Sequence, residues 1–247
     1  MFALLYFLVP LIALLYASIG FGGATGYLAI MSFFGVPSAI MASTALMLNI
    51  IVASISFASF YKAGHFYKKL LLPFLVTSIP AAFIGGYLKI TDRIYFVLLY
   101  AVLTLVAIRL LVFSQKQDDN QTLHPIQLYW ALAIGFGIGL LSGMVGVGGG
   151  IFLSPVIIFA HWGTPKQASA VAAMFIVINS ISGLTGRLLG GTFVINSLSL
   201  SLIPLGVVGA LAGSYLGSQH LSVSNLRRVL GFVMSLAVSN FWLAFWR

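Results

Sequence analysis

Charged residues are scarce in this sequence. Asp, Glu, Lys and Arg together make up 6% of the 247 residues, whereas hydrophobic residues make up 61%. A water-soluble domain carries about a quarter charged residues, because its surface must face water. Three long intervals contain no charged residue at all, namely 2–61, 120–165 and 188–226. Since a membrane-spanning helix needs roughly 20 apolar residues, the sequence predicts an integral membrane protein with several spans.

A strict alternation of apolar and polar residues is also lacking. The strands of an outer-membrane barrel alternate with period two, whereas a stretch such as Phe96–Val106 is predominantly apolar on every face. The first 15 residues have no positively charged n-region, so we interpret them as a first span and not as a cleaved signal peptide. These absences favour an all-α, polytopic membrane protein.

Cysteine is absent, which excludes disulfides, thiolate nucleophiles and sulfur-ligated metals. The four histidines lie near predicted helix ends, and no two of them form a ligand pair on one helix, so we predict no metal site and no cofactor. The three acidic residues, Asp92, Asp118 and Asp119, all fall in predicted loops. No carboxylate is therefore available in mid-span for proton transfer or cation binding.

The formal net charge of +9 arises from 12 Lys and Arg residues against 3 Asp and Glu residues. In a soluble protein this excess would suggest nucleic acid as a partner. In a membrane protein, basic residues anchor helix ends at lipid headgroups. We therefore predict the lipid bilayer as a partner and no nucleic acid, while the oligomeric state stays open.

The basic residues also give a prediction of orientation. An eight-span count places seven of them on one side and five on the other: Lys62, Lys68, Lys69, Arg109, Lys116, Arg187 and Arg247 against Lys89, Arg93, Lys166, Arg227 and Arg228. Because cytoplasmic loops carry the excess of Lys and Arg, this count predicts a protein of the cell (inner) membrane with both termini in the cytoplasm.

The two halves of the chain resemble each other. Four landmarks recur in the same order at an offset of about 128 residues: glycine clusters ending at Gly23 and Gly150, prolines at Pro37 and Pro165, asparagines at Asn49 and Asn179, and the tetrapeptides at 85–88 and 213–216. Internal repeats of this kind are common in secondary transporters. We predict a first four-helix repeat at 1–115, a polar linker at 116–126 and a second four-helix repeat at 127–247.

Each half contains four apolar segments, near 2–34, 38–61, 70–89 and 94–114, and near 127–160, 167–188, 194–218 and 226–246. The first segment of each half would form a helix of about 50 Å, against a hydrocarbon core of about 30 Å. Glycine clusters interrupt both, so we predict broken helices with short second pieces at about 27–34 and 151–160. Four spans per half would give parallel repeats, and five, if the short pieces crossed fully, inverted ones.

The two breaks are the predicted substrate site. A helix that restarts inside the membrane exposes backbone N–H groups at its positive end, where bare glycine lets an anion approach closely. Asn49 and Asn179 follow the breaks within apolar runs. The predicted substrate-binding residues are Gly22, Gly23, Ala24, Thr25, Asn49, Gly148, Gly149, Gly150, Ile151 and Asn179. The alternatives are close helix packing through glycine and hydrogen bonds between helices through the asparagines.

Residues 146–155 (GVGGGIFLSP) and 172–184 (AAMFIVINSISGL) resemble the glycine-rich signature and the second block of the TauE/SafE family of sulfite exporters and anion permeases. The first half carries a weaker copy at 20–26 and 42–49. This resemblance implies a duplicated four-helix unit and transport of sulfur-containing anions such as sulfite, thiosulfate or sulfoacetate. The first cluster departs from an unbroken glycine run, since it reads Gly-Gly-Ala-Thr-Gly, so the two half-sites need not be equivalent.

We therefore predict a secondary transporter of a small anion that works by alternating access, and not an enzyme. One alternative is an anion channel of the same architecture. Another is an intramembrane enzyme that uses Ser142 and His161. That alternative lacks a flanking nucleophile motif and a carboxylate to orient the histidine.

Overall fold

The computed structural model describes residues 3–112 and 123–219, and all regular secondary structure within these ranges is α-helical. The helices are α1 (Ala3–Ser18), α2 (Ala24–Phe33), α3 (Ser38–Lys62), α4 (Lys68–Tyr87), α5 (Asp92–Val112), α6 (Leu128–Val145), α7 (Gly150–Phe159), α8 (Pro165–Leu189) and α9 (Ser197–Gln219). The predicted segment at 226–246 and most of the predicted linker lie outside the described residues. The all-α fold is confirmed.

Five of the described helices, α3, α4, α6, α8 and α9, are long and apolar enough to cross a membrane, and α1, α2 and α7 are shorter apolar helices. Both over-long apolar segments are divided at their glycine clusters, between α1 and α2 and between α6 and α7. The second pieces begin at Ala24 and Gly150, slightly earlier than expected. The division of the chain into two repeats of four helices stays a prediction.

Glycines with positive φ flank the helices at both breaks. Gly23 precedes α2 with φ of 90°, and Gly149 precedes α7 with φ of 80°. Gly146 follows α6 with φ of 92°. Residues with a side chain rarely adopt this left-handed backbone conformation, whereas glycine adopts it without steric cost. The chain can therefore reverse its direction at each cluster instead of continuing across the membrane.

Helices α6 and α7 form a hairpin whose two ends lie together. The amide of His124, before α6, donates to the carbonyl of His161, after α7, at 2.8 Å. Gly163 then lies against Leu70 in the first turn of α4. We call this end of the bundle, which contains the turn between α3 and α4, the Lys62 end. The opposite end, which contains the turn between α4 and α5, is the Asp92 end.

Helices α1 and α2 form a second hairpin that opens at the Asp92 end. Gly209 and Gly213 of α9 contact the carbonyls of Pro10 and Leu14, so α1 and α9 run parallel. The hydroxyl groups of Thr44 and Ser199, 2.6 Å apart, join early parts of α3 and α9. Helix α9 also runs parallel to α3, because Gly206 contacts Leu48, further along α3. Helix α1 therefore starts at the Asp92 end, where the turn after α2 leads into α3.

The directions of the hairpins change the predicted count of spans. Each hairpin returns to the end from which it entered, so it adds no net crossing. Helices α3, α4 and α5 then carry the chain from the Asp92 end to the Lys62 end, where α6 begins. The α1–α2 hairpin enters the bundle from the Asp92 end, and the α6–α7 hairpin enters from the Lys62 end. This favours two halves of inverted orientation over the parallel halves that the eight-span count predicts. Segment length could not show this, because a short second piece can either continue or turn back.

The eight-span count placed Lys166 and Arg187 at the wrong ends of the bundle. Gly163, two residues before α8, lies against Leu70 in the first turn of α4, so Lys166 at the start of α8 lies at the Lys62 end. The carbonyl of Tyr87 lies 2.6 Å from a Cβ built on Gly190, which places the end of α8, and with it Arg187, towards the Asp92 end.

The predicted position of the N-terminus also changes. Helix α1 starts at the Asp92 end, so its first residues do not share a side with the Lys62–Lys69 turn. The C-terminal residues lie outside the described ranges. If the basic turn faces the cytoplasm, as the excess of Lys indicates, the start of α1 faces the other compartment.

Single cysteines can test this arrangement, because the chain has no cysteine of its own. Residues Lys69, Lys89 and Lys166 lie in or beside turns at known ends of the bundle. We expect Lys69→Cys and Lys166→Cys to react with a membrane-impermeant maleimide from one side, and Lys89→Cys from the other. Labelling is measured on whole cells and on inverted vesicles. Reaction of Lys89→Cys and Lys166→Cys from the same side would contradict the hairpin arrangement.

Glycine also allows close packing between the helices of the bundle. In α6, Gly135, Gly139 and Gly143 lie directly against the backbone of α4. Gly186 of α8 and Gly190, which follows α8, lie against the backbone of α4 at Phe83 and Tyr87. Small residues let membrane helices approach each other closely, and van der Waals packing then stabilises the bundle. For these helix-face glycines, the packing interpretation is the correct one.

Candidate substrate site

Asn49 links the two breaks. Its side chain is 1% exposed and lies in the middle of α3. Its Oδ1 accepts a hydrogen bond from the amide of Ala24, the first residue of α2, at 3.2 Å. Its Nδ2 donates to the carbonyl of Val147, in the break between α6 and α7, at 3.1 Å. One buried amide therefore satisfies a backbone donor of the first break and a backbone acceptor of the second.

Gly22 and Gly148 bring the two breaks against the same side chains. A Cβ built on Gly22 would collide with Oδ1 of Asn49 and lie 3.1 Å from Ile176 Cγ2. A Cβ built on Gly148 would lie 2.5 Å from Asn49 Nδ2 and 2.9 Å from the same Ile176 atom. The glycine clusters, 126 residues apart in sequence at these positions, therefore meet at one place between α3 and α8.

Ser180 lies beside this meeting point. Its Oγ is 3.1 Å from the Cβ built on Gly148, and it is buried without a hydrogen-bond partner among the described residues. Asn179 is also fully buried. Its Nδ2 donates to the carbonyl of Phe175 in its own helix, and its Oδ1 has no partner in the same part of the chain. Asn49 and Asn179 thus occupy matching sequence positions but make different contacts.

The remaining predicted residues surround the breaks with different contacts. The hydroxyl groups of Thr25 and Tyr16 are 2.8 Å apart, so Thr25 bonds to α1. A Cβ on Gly23 would meet the Tyr27 hydroxyl at 2.7 Å, and one on Gly149 would meet Ile138 at 2.5 Å. Gly150 and Ile151 are the first two residues of α7. Gly150 lies against the carbonyl of Ala172 and the side chain of Ile176, and Ile151 is 4% exposed.

Two helix N-termini contribute partial positive charge to the meeting point. Helices α2 and α7 both begin there, and the first amides of a helix have no carbonyl partner within the helix. The dipole of each helix adds a partial positive charge at the same end. Neither break contains a charged side chain. Two helix N-termini, a serine hydroxyl and amide groups can together accommodate a small anion.

Sequence reasoning missed two features of this site. Ile176 contacts both glycine clusters, but an isoleucine in an apolar run has no signal that separates it from core residues. The position of Arg187 near a helix end favours a side chain that reaches the headgroups over one that draws anions to the pore, whereas the side chain is only 6% exposed. Its position two residues before the end of α8 could not reveal that the guanidinium turns into the bundle.

The enzyme alternative lacks the required geometry. Ser142 lies near the inner end of α6, whereas His161 lies beyond the opposite end of α7. Ten residues of α7 correspond to about 15 Å of helix between the break and His161. The Ser142 hydroxyl has no hydrogen-bond partner among the described residues. The two side chains therefore do not form a nucleophile–base pair, which requires about 3 Å.

A Gly148→Ala variant should lose about tenfold or more of its transport rate while remaining folded. The added Cβ would lie 2.5 Å from Asn49 Nδ2, so the side chain that links the breaks must shift. A φ of 79° also costs an alanine about 1 kcal/mol. Gly64→Ala is the matched control, since Gly64 has φ of 75° and no atom within 4 Å of a built Cβ. Equal activity of both variants in vesicles would refute the steric argument.

Comparison with known proteins places this architecture in a family. Residues 5–241 match the family model described as sulfite exporter TauE/SafE. The chain is 35% identical over 228 residues to the probable membrane transporter protein y4hK of Sinorhizobium fredii, covering 92% of each chain. It is 25% identical over 177 residues to the probable membrane transporter protein YunE of Bacillus subtilis, covering 64% of this chain and 60% of the relative.

A third relative, from Methanocaldococcus jannaschii, is also described as a probable membrane transporter protein. It is 24% identical over 218 residues, which cover 84% of this chain and 81% of the relative. No solved structure matches the chain. The family match extends over nearly the whole sequence and includes both glycine clusters and both asparagines. The chain therefore belongs to the sulfite exporter TauE/SafE family and is a multi-pass membrane transporter.

Proposed function

We propose that the protein is a secondary transporter of a small anion, with sulfite or an organosulfur anion such as sulfoacetate or thiosulfate as substrate. The observation that carries this proposal is the meeting of the α2 and α7 N-termini at Asn49. The site supplies N–H and hydroxyl donors and contains no carboxylate. A sulfur oxyanion has several acceptor oxygens that such donors can bind.

The directions of the hairpins support alternating access. The α1–α2 hairpin opens at the Asp92 end and the α6–α7 hairpin opens at the Lys62 end. Each break can therefore be exposed to a different side of the membrane while the anion stays between them. Discontinuous helices at the midplane of opposed halves are typical of secondary transporters. We place the protein in the cell (inner) membrane, with lipid around its exposed helix faces.

The test is flux in proteoliposomes. Purified protein is reconstituted with sulfite, thiosulfate or sulfoacetate on one side, and uptake of the labelled anion is followed over time. We expect saturable uptake that protein-free liposomes lack. Absence of anion-dependent flux for every member of the panel would refute the proposal.

The channel alternative is separated by electrical recording on the same preparation. A carrier saturates with substrate and turns over slowly, because each cycle requires a conformational change. Currents far above carrier turnover that do not saturate would favour a channel. The closed packing of Asn49 against both breaks favours the carrier.

A further inference from the structure

Arg187 is buried at the end of α6. Its Nη2 donates to the carbonyls of Met144 at 2.6 Å and Gly143 at 3.3 Å. The Tyr95 hydroxyl donates to the next carbonyl, that of Val145, at 3.1 Å. Nε of Arg187 is buried and has no hydrogen-bond partner among the described residues. The guanidinium therefore caps the last carbonyls before the second break and retains a free donor.

No carboxylate in the described part of the chain neutralises this charge. Asp92, the acidic residue within residues 3–112 and 123–219, instead accepts a hydrogen bond from Ser38 at 2.5 Å. A buried charge without a partner is costly in a membrane protein, and such residues generally face a pathway or pair with a ligand. The cost at Arg187 is only partly offset by its two carbonyl hydrogen bonds.

The position of the Arg187 charge decides the sign of the electrostatic potential at the second break. The C-terminal end of α6 and the N-terminal end of α7 lie on either side of residues 146–149. Their dipole ends carry about half a unit of opposite charge each, so alone they would nearly cancel. Arg187 places a full positive charge on the negative end. An anion in the break therefore meets a net positive field.

Among the described residues, no side chain places an equivalent charge at the first break. The end of α1 is closed by backbone hydrogen bonds from Ile19 and Phe21 to the carbonyl of Tyr16. Ser56 lies beside these residues, and its Oγ is 3.5 Å from the carbonyls of Ala17 and Phe21. Within this part of the structure the hairpins are therefore electrostatically unequal, although their glycine clusters match in sequence.

We propose that Arg187 is the specificity-determining residue for anion valence: its charge, fixed at the end of α6, makes the second break favour a divalent over a monovalent anion. This inference rests on the anion transport proposed above. Arg187 acts through its charge, which sets the field at the break. A role limited to capping α6 would make the same two carbonyl hydrogen bonds but would confer no preference between valences.

The experiment compares thiosulfate, which is divalent, with methanesulfonate, which is monovalent. The ratio of their kcat/KM values in proteoliposomes is measured for the wild type, Arg187→Gln and Arg187→Lys. We expect the ratio to fall by at least about tenfold in Arg187→Gln, because an uncharged amide can cap a carbonyl but supplies no field. In Arg187→Lys, which keeps the charge, the ratio should stay within about threefold of the wild type.

Lys89→Gln is the matched control, since Lys89 is exposed at the same end of the bundle and its loss changes the net charge equally. Its ratio should be unchanged, because water and salt screen exposed charges. Tyr95→Phe removes the hydrogen bond to the Val145 carbonyl without removing a charge. The ratio of the kcat/KM values should therefore also stay at the wild-type value.

Two results would overturn the role of Arg187. One is a thiosulfate-to-methanesulfonate ratio of kcat/KM in folded Arg187→Gln that equals the wild-type ratio. The other is a tenfold fall of this ratio in Arg187→Lys. The second remains decisive if the glutamine variant does not fold. Wild-type protein that transports none of the anion panel would instead refute the proposed function, and the inference with it. Saturable wild-type flux with an unaltered ratio in the glutamine variant would refute the inference alone.

Discussion

An Asn49→Leu variant should lose about a hundredfold of its anion transport. Leucine has a similar volume but neither accepts from the amide of Ala24 nor donates to the carbonyl of Val147. The Ala24 amide and the Val147 carbonyl would each be left without a hydrogen bond in a buried site, at a free-energy cost of about 1–3 kcal/mol. Since 1.4 kcal/mol corresponds to a factor of ten, the two losses together give the expected magnitude. The measurement is initial uptake of labelled sulfite in proteoliposomes, normalised to inserted protein.

Ser54→Ala is the control for this experiment. Ser54 lies on the same helix, but it is exposed and its hydroxyl bonds only to the carbonyl of Ile50 in α3. It should transport at the wild-type rate. An Asn49→Leu protein that is monodisperse in detergent and transports like Ser54→Ala would show that Asn49 serves neither the site nor the link between the breaks.

A Gly139→Val variant should fail to assemble its helices. A Cβ at this position would lie 2.6 Å from the Cα of Ser78 in α4, so both helix backbones must move apart. Overpacking of this kind costs about 3 kcal/mol, and loss of contact along α4 and α6 adds to it because close packing holds membrane helices together. We expect most of the extracted protein to aggregate and the remainder to melt at a much lower temperature. Fluorescence-detected size exclusion measures both quantities.

Gly137→Val is the matched control, two residues along the same helix. Gly137 is exposed, and no atom lies within 4 Å of its built Cβ. The additional side chain would face lipid, where valine is well tolerated. A Gly139→Val protein as stable as Gly137→Val would show that α4 and α6 are not in backbone contact.

The helices and their breaks could be predicted from composition and length. Runs of apolar residues specify where helices form, and a segment too long for the bilayer must be interrupted where glycine is dense. The direction after each break could not be predicted, because it depends on contacts such as those between His124 and His161. The eight-span count failed at this point and consequently misplaced Lys166 and Arg187.

The substrate-binding role of the candidate residues stays a prediction, but part of their placement could be inferred from the sequence. Asn49 and the glycine clusters stood out because polar and flexible residues are unusual in apolar runs. The different contacts of Asn179 could not be inferred, since the two asparagines occur in similar sequence contexts. Thr25, proposed as a site residue, bonds to Tyr16, and no sequence pattern identifies that partner.

The sequence by itself determined that this is an α-helical membrane protein with two glycine breaks and very few charges, because these properties follow from local composition and the thickness of the bilayer. Only the tertiary structure decided that the hairpins enter from opposite ends, that Asn49 joins both breaks and that Arg187 turns inward. These features depend on which helix faces pack together. Packing is set by side-chain shape between residues far apart in sequence, 98 positions for Asn49 and Val147 and 43 for Arg187 and Met144, and no local pattern encodes it.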